Sequence, residues 1–372
     1  MQRRRGAGGH VVFLAVYPAS QASTRLRAQQ WRPHLERAGF TTDLWTLFDE
    51  RAAQSWFSPV RRGDRIRSLL RCGRRTLSLV TVLARLRPAD VVVVQREVLP
   101  LACSWPERFA ASRAQLVWDV DDAVWVEHDG MFIRGAFRAI RGGAAKYRRV
   151  ATASAEVWAG SEELARWCRQ MAHTVSVLPT VVDMPSKRLS RGQRSGVVWT
   201  GSPSTGPFLQ QVLPQLAPVP AGIRVLGATV ASERSDVVQE PWSEEAEFTA
   251  LRGARVGLYP IDVTHPLAVG KAGFKAVLYM AHGLPCVVTP TPTVASLIGH
   301  EREGLHASDP EEWATAVSRL LEDDDLWDLL STNALERASR FSVQTWFPLV
   351  VGRIAALRDQ PWTASSTALG SM

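Results

Sequence analysis

Short apolar runs alternate with longer amphipathic stretches along almost the whole of this sequence, and few folds accept that pattern. The apolar runs are rich in β-branched residues and lie at 11–16, 91–94, 116–120, 157–160, 175–178, 197–200, 223–227, 256–259 and 286–289. Such runs predict parallel strands that are buried on both faces of a sheet. The stretches between them predict the helices of βαβ units. These helices are expected at 24–38, 66–86, 136–149, 161–171, 207–216, 243–252, 271–282, 310–321 and 326–340.

The pattern stops once and then begins again, which divides the chain into two halves of similar size. The interruption is a polar segment that contains Pro185 and Gly192. We therefore expect an α/β protein with two doubly wound parallel-sheet domains facing a cleft, because ligands bind outside the carboxyl ends of such strands. The expected parts are a first domain, a linker, a second domain, a final helix and a disordered tail, at 1–184, 185–195, 196–342, 343–358 and 359–372.

The composition narrows the class of protein further. The 372 residues suffice for two hydrophobic cores. No apolar run approaches the ~20 residues needed to cross a bilayer. Four widely spaced cysteines indicate neither a zinc site nor a disulfide framework, and they favour a reducing compartment such as the cytoplasm. The net charge of +8 favours anionic partners: nucleic acid, acidic lipid or phosphorylated small molecules.

The segment with the clearest chemical content runs from residue 270 to residue 289. A predicted helix in this segment ends at Gly283, and Lys271 and Lys275 lie four residues apart near its start. The two lysines would share one face near the positive end of the helix. Their ammonium groups, together with the free N–H groups of a first helical turn, suit a diphosphate. Two solvated lysines on an ordinary surface helix would have the same spacing.

A second segment is a predicted strand that runs into a small polar turn before a helix. The turn consists of Gly201, Ser202, Pro203, Ser204 and Thr205. Backbone amides in a loop of this kind can approach phosphate closely. The turn has neither the Gly-Lys-Ser/Thr of a Walker A motif nor GxGxxG spacing, and an ordinary helix N-cap is the alternative. Trp242, in a loop after a predicted strand, is placed to border a nucleotide base.

Three carboxylates follow a strand in the first half. Asp119, Asp121 and Asp122 stand where the strand predicted at 116–120 ends, which is the end at which ligands bind. They are suited to orienting acceptor hydroxyls, acting as a base or holding a metal. Turn formation and helix capping are the structural alternative.

Two basic segments also belong to the first half. Arg25 and Arg27 fall in or near the first turn of a predicted helix, where the helix dipole disfavours positive charge. A local anion would offset that cost, which makes them candidates for the acceptor or phosphate side of a site. Between Arg61 and Arg75, seven arginines accompany one aspartate on an amphipathic pattern that suits an anionic membrane surface. For both segments an exposed basic helix is the alternative.

In combination these segments resemble the retaining GT-B glycosyltransferases of the glycogen-synthase-like and mannosyltransferase-like group, the bacterial family 4 type. The matching strings are Asp-x-Asp-Asp at 119–122, Gly-Ser-Pro-Ser-Thr at 201–205 and Gly-Lys-x-Gly-Phe-Lys at 270–275, which Tyr-Met-Ala-x-Gly-x-Pro follows at 279–285. Residues 157–183 resemble the passage into the linker, and Glu311-Glu312-Trp313 resembles the closing segment. The resemblance extends from about residue 11 to about residue 357.

The resemblance implies a GT-B fold with two Rossmann-like domains and a final helix that packs back on the first domain. It implies a nucleotide-diphosphate sugar in the second domain, with Gly201, Ser202, Ser204, Thr205, Trp242, Lys271 and Lys275 as donor-binding candidates. A glycan or lipid-linked acceptor would lie in the first domain, and transfer would retain the anomeric configuration with no obligatory cofactor or metal. Asp121, Asp122 and Lys271 are the catalytic candidates. The expected process is cell-envelope polysaccharide synthesis in the cytoplasm, at or near the inner face of the membrane.

Two departures from the family pattern have chemical consequences. Gly270 and Leu278 occupy the positions of the usual Glu-x7-Glu pair, and leucine cannot accept hydrogen bonds from ribose. The usual Arg and Lys after the first strand of the second domain are also absent. These gaps keep other functions open: a catalytically inactive GT-B protein that binds nucleotide or glycan, a sugar-nucleotide epimerase, or a basic membrane- or nucleic-acid-binding protein. No nucleic-acid-binding module is recognisable, so nucleic acid is not expected as a partner.

Overall fold

The structure is a computed structural model that describes residues 8–57, 62–126, 143–185, 190–265, 268 and 270–361. Strands β1 to β12 run over His10–Ala15, Thr41–Thr46, Asp90–Gln95, Gln115–Val120, Glu156–Ala159, Val175–Val177, Val197–Thr200, Ile223–Leu226, Val237–Glu240, Val256–Tyr259, Cys286–Val288 and Gly304–His306. Helices α1 to α14 run over Ala22–Thr24, Trp31–Arg37, Glu50–Phe57, Arg62–Ala84, Trp105–Ala111, Gly143–Ala153, Glu162–Cys168, Gly206–Val212, Glu244–Gly253, Phe274–Ala281, Pro292–Leu297, Pro310–Glu322, Asp324–Ser339 and Val343–Asp359.

The first six strands form one parallel sheet in the order β2-β1-β3-β4-β5-β6. Its inner strands are the near-continuous apolar runs of the sequence, and Val92, Val93 and Val94 in β3 are fully buried. This burial on both faces is what a parallel sheet covered by helices requires.

The last six strands form a second parallel sheet in the order β12-β11-β10-β7-β8-β9. Successive residues of β7 enter opposite cores: Val198 packs in one apolar cluster, and Val197 and Trp199 pack in the other. The sheet is therefore covered on both faces. The prediction of two doubly wound parallel sheets is confirmed.

The described residues form two compact units. Those up to Pro179, together with those from Phe347 onward, form the first unit, and Thr180 to Trp346 belong to the second. The final helix α14 thus begins in the second unit and continues in the first. Among the described residues, no helix has both the length and the apolar character that crossing a membrane requires.

Some predicted elements differ from the observed ones. The helix expected at 24–38 is broken, because α1 passes into a π-helical turn at Arg25–Gln29 before α2 begins at Trp31. The helix expected at 136–149 lies partly outside the described residues, and the described part belongs to α6. Most of the tail expected to be disordered also lies outside them. Strands β2, β9 and β12 were not predicted.

Candidate functional site

The second sheet reverses its winding between two neighbouring strands, β7 and β10. From β7 the chain moves outward through β8 to β9, and it then returns to the other side of β7 and moves outward through β11 to β12. The carboxyl ends of strands that flank such a reversal bound the crevice in which open α/β sheets bind their ligands. Gly201 directly follows β7, and Tyr259 ends β10.

At the carboxyl ends of β7 and β8, two glycines allow neighbouring segments of the chain to approach each other closely. A Cβ atom on Gly201 would lie 2.3 Å from the ring of Trp199, and Gly227, at φ +82°, would place a Cβ atom 2.2 Å from the Gly201 carbonyl oxygen and 3.0 Å from Cβ of Trp242. Only glycine fits at either position. The two glycines therefore hold the loop that carries Trp242 against the turn that begins at Gly201.

The turn after Gly201 is closed by its own polar groups. The Ser202 N–H donates to Oγ1 of Thr205 at 3.2 Å, and the hydroxyls of Ser202 and Ser204 are 2.9 Å apart. Helix α8 then begins at Gly206. The helix-capping alternative has only partial support, because Thr205 is the N-cap residue but its side chain makes no cap hydrogen bond.

Lys275 is brought to this turn from helix α10. Its Nζ atom lies 3.4 Å from Oγ1 of Thr205, and it sits over two aromatic rings, 4.6 Å from the centroid of Trp199 and 5.4 Å from that of Tyr259. One of these rings belongs to β7 and the other to β10. The ammonium group is therefore held at the reversal point of the sheet by aromatic faces, which attract a cation.

The environment of Lys275 lowers its pKa to about 7. Burial disfavours the charged form most strongly, and the nearby charge of Lys271 acts in the same direction, whereas the carboxylate of Glu247 opposes both. An arriving anion would relieve this electrostatic cost. A lysine with such a perturbed pKa at a ligand-binding edge is a functional candidate on physical grounds.

The expected placement of Lys271 and Lys275 on one helix is wrong. Helix α10 begins at Phe274, and Gly273, its N-cap, adopts a left-handed conformation at φ +72°. A Cβ atom there would lie 2.3 Å from Cδ1 of Leu297, so the chain turns into the helix at a residue that has to be glycine. Lys271 thus precedes the helix, although it is near enough for its charge to act on Lys275.

Glu247 in helix α9 was not among the residues predicted from the sequence. Its side chain is 7% exposed, and it accepts a hydrogen bond of 2.6 Å from the hydroxyl of Thr200, the last residue of β7. It is the acidic group whose charge favours the ammonium form of Lys275. The sequence shows three acidic residues, Glu244, Glu245 and Glu247, at the start of a predicted helix. Their spacing does not indicate which of the three is buried.

Leu278 and Gly270 occupy the two positions at which the family pattern has glutamates. Leu278 is 9% exposed and belongs to an apolar core cluster, and Gly270 is buried as well. Neither can accept a hydrogen bond through a side chain. The hydrogen bonds that a glutamate pair would accept therefore have no equivalent at these two positions.

In the first unit, Arg27 is committed to an internal ion pair. Its guanidinium is 2% exposed, donates to both carboxylate oxygens of Asp119, and donates to the carbonyl of Leu178 at 2.8 Å. The anion that offsets this arginine is thus Asp119, which lies in β4. The side chain of Arg25 is partly exposed in the same π-helical turn.

Arg96 forms ion pairs with both Asp121 and Asp122. It was not among the residues predicted from the sequence. Arg96 follows β3 with φ +61°, and its Nε and Nη2 atoms donate to the two oxygens of Asp121 at 2.6 and 2.9 Å. Its Nη2 atom also lies 3.6 Å from Oδ2 of Asp122. Gln95 donates to Asp121 at 3.1 Å. The sequence signal that could have revealed Arg96 is the polar pair Gln95-Arg96, which directly follows the apolar run at 91–94.

Arg96 decides what Asp121 can do chemically. Burial opposes ionisation of this carboxyl, but the charge and hydrogen bonds of Arg96 outweigh burial, so the pKa of Asp121 is lowered. A carboxylate with a lowered pKa is a weak base and a good hydrogen-bond acceptor. No group of three or more metal-ligating side chains occurs in the described part of the chain.

Comparisons with known proteins agree with this architecture. Residues 207–323 match the family model described as glycosyl transferases group 1. The Anabaena protein HepE, solved in complex with UDP-glucose, has a TM-score of 0.62 and 15% identity, over 93% of this chain and 99% of that one. Sucrose-phosphate synthase from Thermosynechococcus elongatus has a TM-score of 0.63 and 14% identity, over 94% and 98%.

A third solved structure is larger than this chain. The pneumococcal O-GlcNAc transferase GtfA, in complex with UDP and GlcNAc, has a TM-score of 0.55 and 12% identity over 77% of this chain, which spans 60% of the length of GtfA. No functionally curated protein matches the chain by sequence.

The two six-stranded parallel sheets have the GT-B fold, with two Rossmann-like domains. The fold and the match over residues 207–323 together support a glycosyltransferase of the GT-B type.

Proposed function

We propose that this protein transfers a sugar from a nucleotide-diphosphate donor to a glycan, lipid-linked or small-molecule acceptor, with retention of configuration. The observation that carries the proposal is the position of Lys275. It lies at the reversal point of the second sheet, against the Thr205 turn, with a pKa lowered to about 7. Open α/β sheets bind their ligands at that point. Lys275 lies there with its charged form disfavoured, so a bound anion would stabilise that form.

The donor diphosphate is proposed to lie between the 201–205 turn and the two lysines. Ser202, Ser204 and Thr205 line the turn with hydroxyl groups, and Lys271 and Lys275 offer positive charge. Trp242, held beside Gly201 by Gly227, borders the base. UDP is the nucleotide in the HepE and GtfA complexes, which favours a uridine donor for this chain.

The two lysines would act on the charge that develops during transfer. The bond between the anomeric carbon and the diphosphate oxygen breaks, a bond from the acceptor hydroxyl oxygen forms, and the hydroxyl proton leaves with the diphosphate or solvent. Negative charge accumulates on the departing diphosphate. Cationic groups already held in place stabilise that charge more than they stabilise the bound donor, which accelerates the reaction. With this charge supplied by the protein, we propose no obligatory metal or cofactor.

The acceptor side is proposed to involve Asp121 and Asp122, with Arg25 at its border. Because Arg96 lowers the pKa of Asp121, this carboxylate is suited to accepting hydrogen bonds from acceptor hydroxyls rather than to removing a proton. We assign the protein to cell-envelope polysaccharide synthesis in the cytoplasm. The family resemblance supports this assignment.

The donor site is tested by measuring thermal stability and product formation across a panel of nucleotide sugars. We expect one donor to raise the melting temperature of the wild type. Lys271→Ala should weaken donor binding by roughly 10- to 100-fold, since a charge-assisted contact contributes about 1.5–3 kcal/mol. Arg302→Ala is the matched control, because its side chain is 78% exposed in the same unit. If no donor shifts the wild type at millimolar concentration, the donor site is refuted.

Retention is tested separately by proton NMR. An α-linked donor hydrolysed slowly without acceptor should release the α-anomer first if the enzyme is retaining. Initial release of the β-anomer would leave the donor site intact and overturn the assignment of retention.

A further inference from the structure

One face of helix α4 packs against the first unit. Leu79 and Leu83 are fully buried on that face. Beside them Arg75 donates to the carbonyl of Thr46 at 2.8 Å, and the indole of Trp45 donates to Ser78 at 3.0 Å. The contacts with Thr46 and Trp45, both in β2, hold the helix against the edge of the first sheet.

The opposite face of α4 is apolar and exposed. Of the thirteen large apolar side chains that are exposed among the described residues, five lie on this helix, and they are between 52% and 72% exposed: Ile66, Leu69, Leu70, Leu77 and Val80. Their spacing places them on a single stripe, which extends over about 21 Å at 1.5 Å per residue. An exposed stripe of this size is uncommon on a surface that only water contacts.

The charged side chains that α4 itself places beside this stripe are basic. At 3.6 residues per turn, Arg67 and Arg74 fall immediately beside it, and Arg85 follows the end of the helix. No acidic residue occurs in the sequence between Asp64 and Asp90. A partner for this surface therefore has to be apolar in its centre and negatively charged at its border.

A second element extends the apolar surface near the end of α4. Phe109, in α5, is 41% exposed, and Trp105, one turn earlier, is 43% exposed. The guanidinium of Arg113 lies 5.8 Å from the Phe109 ring centroid and donates to the carbonyl of Ala84 at 3.5 Å. Arg113 thereby links the two elements. Exposed tryptophan and arginine side chains each favour the boundary between lipid head groups and acyl chains.

We propose that α4 docks this protein on a lipid bilayer rich in anionic lipids. The apolar stripe enters the boundary between head groups and acyl chains, and the arginines lie among the phosphates. The stripe is narrow and convex, whereas a protein partner would have to supply both a matching groove and a row of carboxylates along one side of it. A bilayer supplies the apolar interior and the anionic border over any area. The inference is independent of the donor site.

Vesicle flotation with the whole 372-residue chain tests the proposal. Wild type should float with vesicles of phosphatidylcholine and phosphatidylglycerol in equal parts, and much less with phosphatidylcholine alone. Leu70→Ser with Leu77→Ser should reduce partitioning roughly a hundredfold, because two leucines no longer enter the bilayer. Arg74→Gln with Arg85→Gln should reduce it roughly 25-fold, at about fivefold for each charge.

Matched variants distinguish binding through this surface from nonspecific hydrophobic or electrostatic binding. Leu329→Ser with Leu349→Ser removes two other exposed leucines, and Arg302→Gln with Arg340→Gln removes two other exposed arginines. Both should float like the wild type. The proposal is overturned if the wild type does not float, if the matched variants lose as much binding, or if pure phosphatidylcholine binds equally well. It is also overturned if the leucine variant melts well below the wild type. A wild-type dimer, seen by light scattering and absent in the leucine variant, would overturn it as well.

Discussion

At the scale of single residues, the proposed donor site depends most on Lys275. Burial, and then the charge of Lys271, lower its pKa to about 7, so near neutral pH the site holds its full positive charge only part of the time. A bound diphosphate would favour the ammonium form. In the proposed function, binding of donor and binding of a proton are therefore coupled at this residue.

We predict that the protein takes up a proton when it binds a nucleoside diphosphate. At about pH 8, above the pKa of the ligand-free ammonium, Lys275 is mostly neutral and becomes charged in the complex, so uptake approaches roughly one proton. Affinity should fall about tenfold for each pH unit above 7, and this group should contribute no pH dependence well below 7. Calorimetry in buffers of different ionisation enthalpy measures the proton directly.

Lys275→Met removes the titrating group and keeps a side chain of similar length. This variant should bind more weakly near neutral pH, and its proton uptake should disappear. Circular dichroism checks that it is folded. Proton uptake that persists unchanged in Lys275→Met would show that another group titrates and that the pKa of Lys275 is not coupled to the nucleotide.

The sequence revealed some of these residues and not the contacts between them. Lys271, Lys275 and the Gly201 turn could be selected because their residue types suit phosphate and because each follows or precedes a recognisable strand or helix. The partner of Arg27 could not be identified, because Asp119 lies 92 residues further along the chain. Contacts of that range depend on how strands are ordered in the sheet, which apolar patterning does not specify.

At the scale of secondary-structure elements, the inner strands were predictable and most edge strands were not. Strands such as β3 and β4 are buried on both faces and therefore appear in the sequence as continuous apolar runs. The three missed strands, β2, β9 and β12, all lie at the edges of their sheets. An edge strand is partly solvated and carries polar residues, as Asp43 does in β2 and Gln239 does in β9. Its pattern then resembles that of a loop.

The start of helix α10 is the element whose geometry the proposed donor site depends on most. Gly273→Ala would place an alanine at φ +72° and force Leu297 to move. We expect the free energy of unfolding to fall by about 1–3 kcal/mol and donor binding to weaken, because Lys271 and Lys275 lie on either side of this turn. Urea denaturation and nucleotide titration measure the two effects.

Gly253→Ala is the matched control for that change. Gly253 ends helix α9 in the same unit, has no positive φ, and leaves open space where a Cβ atom would go. Alanine there should be neutral or slightly stabilising. If both variants lose the same stability, the left-handed conformation of Gly273 is not the cause.

At the scale of the whole molecule, the chain is not divided at a single point, because its last helix returns to the first unit. Helix α14 begins in the second unit, and its residues from Phe347 onward belong to the first, with Pro348 directly after that division. Arg358 donates to the carbonyl of Gly8 at 2.8 Å. The stability of the first unit therefore includes contacts with residues that follow the whole second unit in sequence.

Arg353 makes the contact by which this dependence is best tested. Its Nη1 atom lies 2.5 Å from Oε1 of Glu156 in β5, a carboxylate that is 5% exposed and otherwise accepts a hydrogen bond from Ser176 at 2.6 Å. Arg353→Gln leaves this carboxylate buried without its cationic partner, so we expect the free energy of unfolding to fall by about 2–3 kcal/mol. Hydrogen exchange should accelerate in β5 and β6 of the first unit and stay unchanged in β7 and β10 of the second.

A double variant distinguishes the ion pair from the packing of the helix. Arg353→Gln combined with Glu156→Gln removes both charges, and it should recover much of the lost stability, because a neutral amide is easier to bury than an unpaired carboxylate. Arg340→Gln breaks an exposed pair with Glu336 just before the same helix and should cost less than about 0.5 kcal/mol. If Arg353→Gln accelerates exchange equally in both units, the last helix stabilises the whole chain, and its assignment to the first unit is wrong.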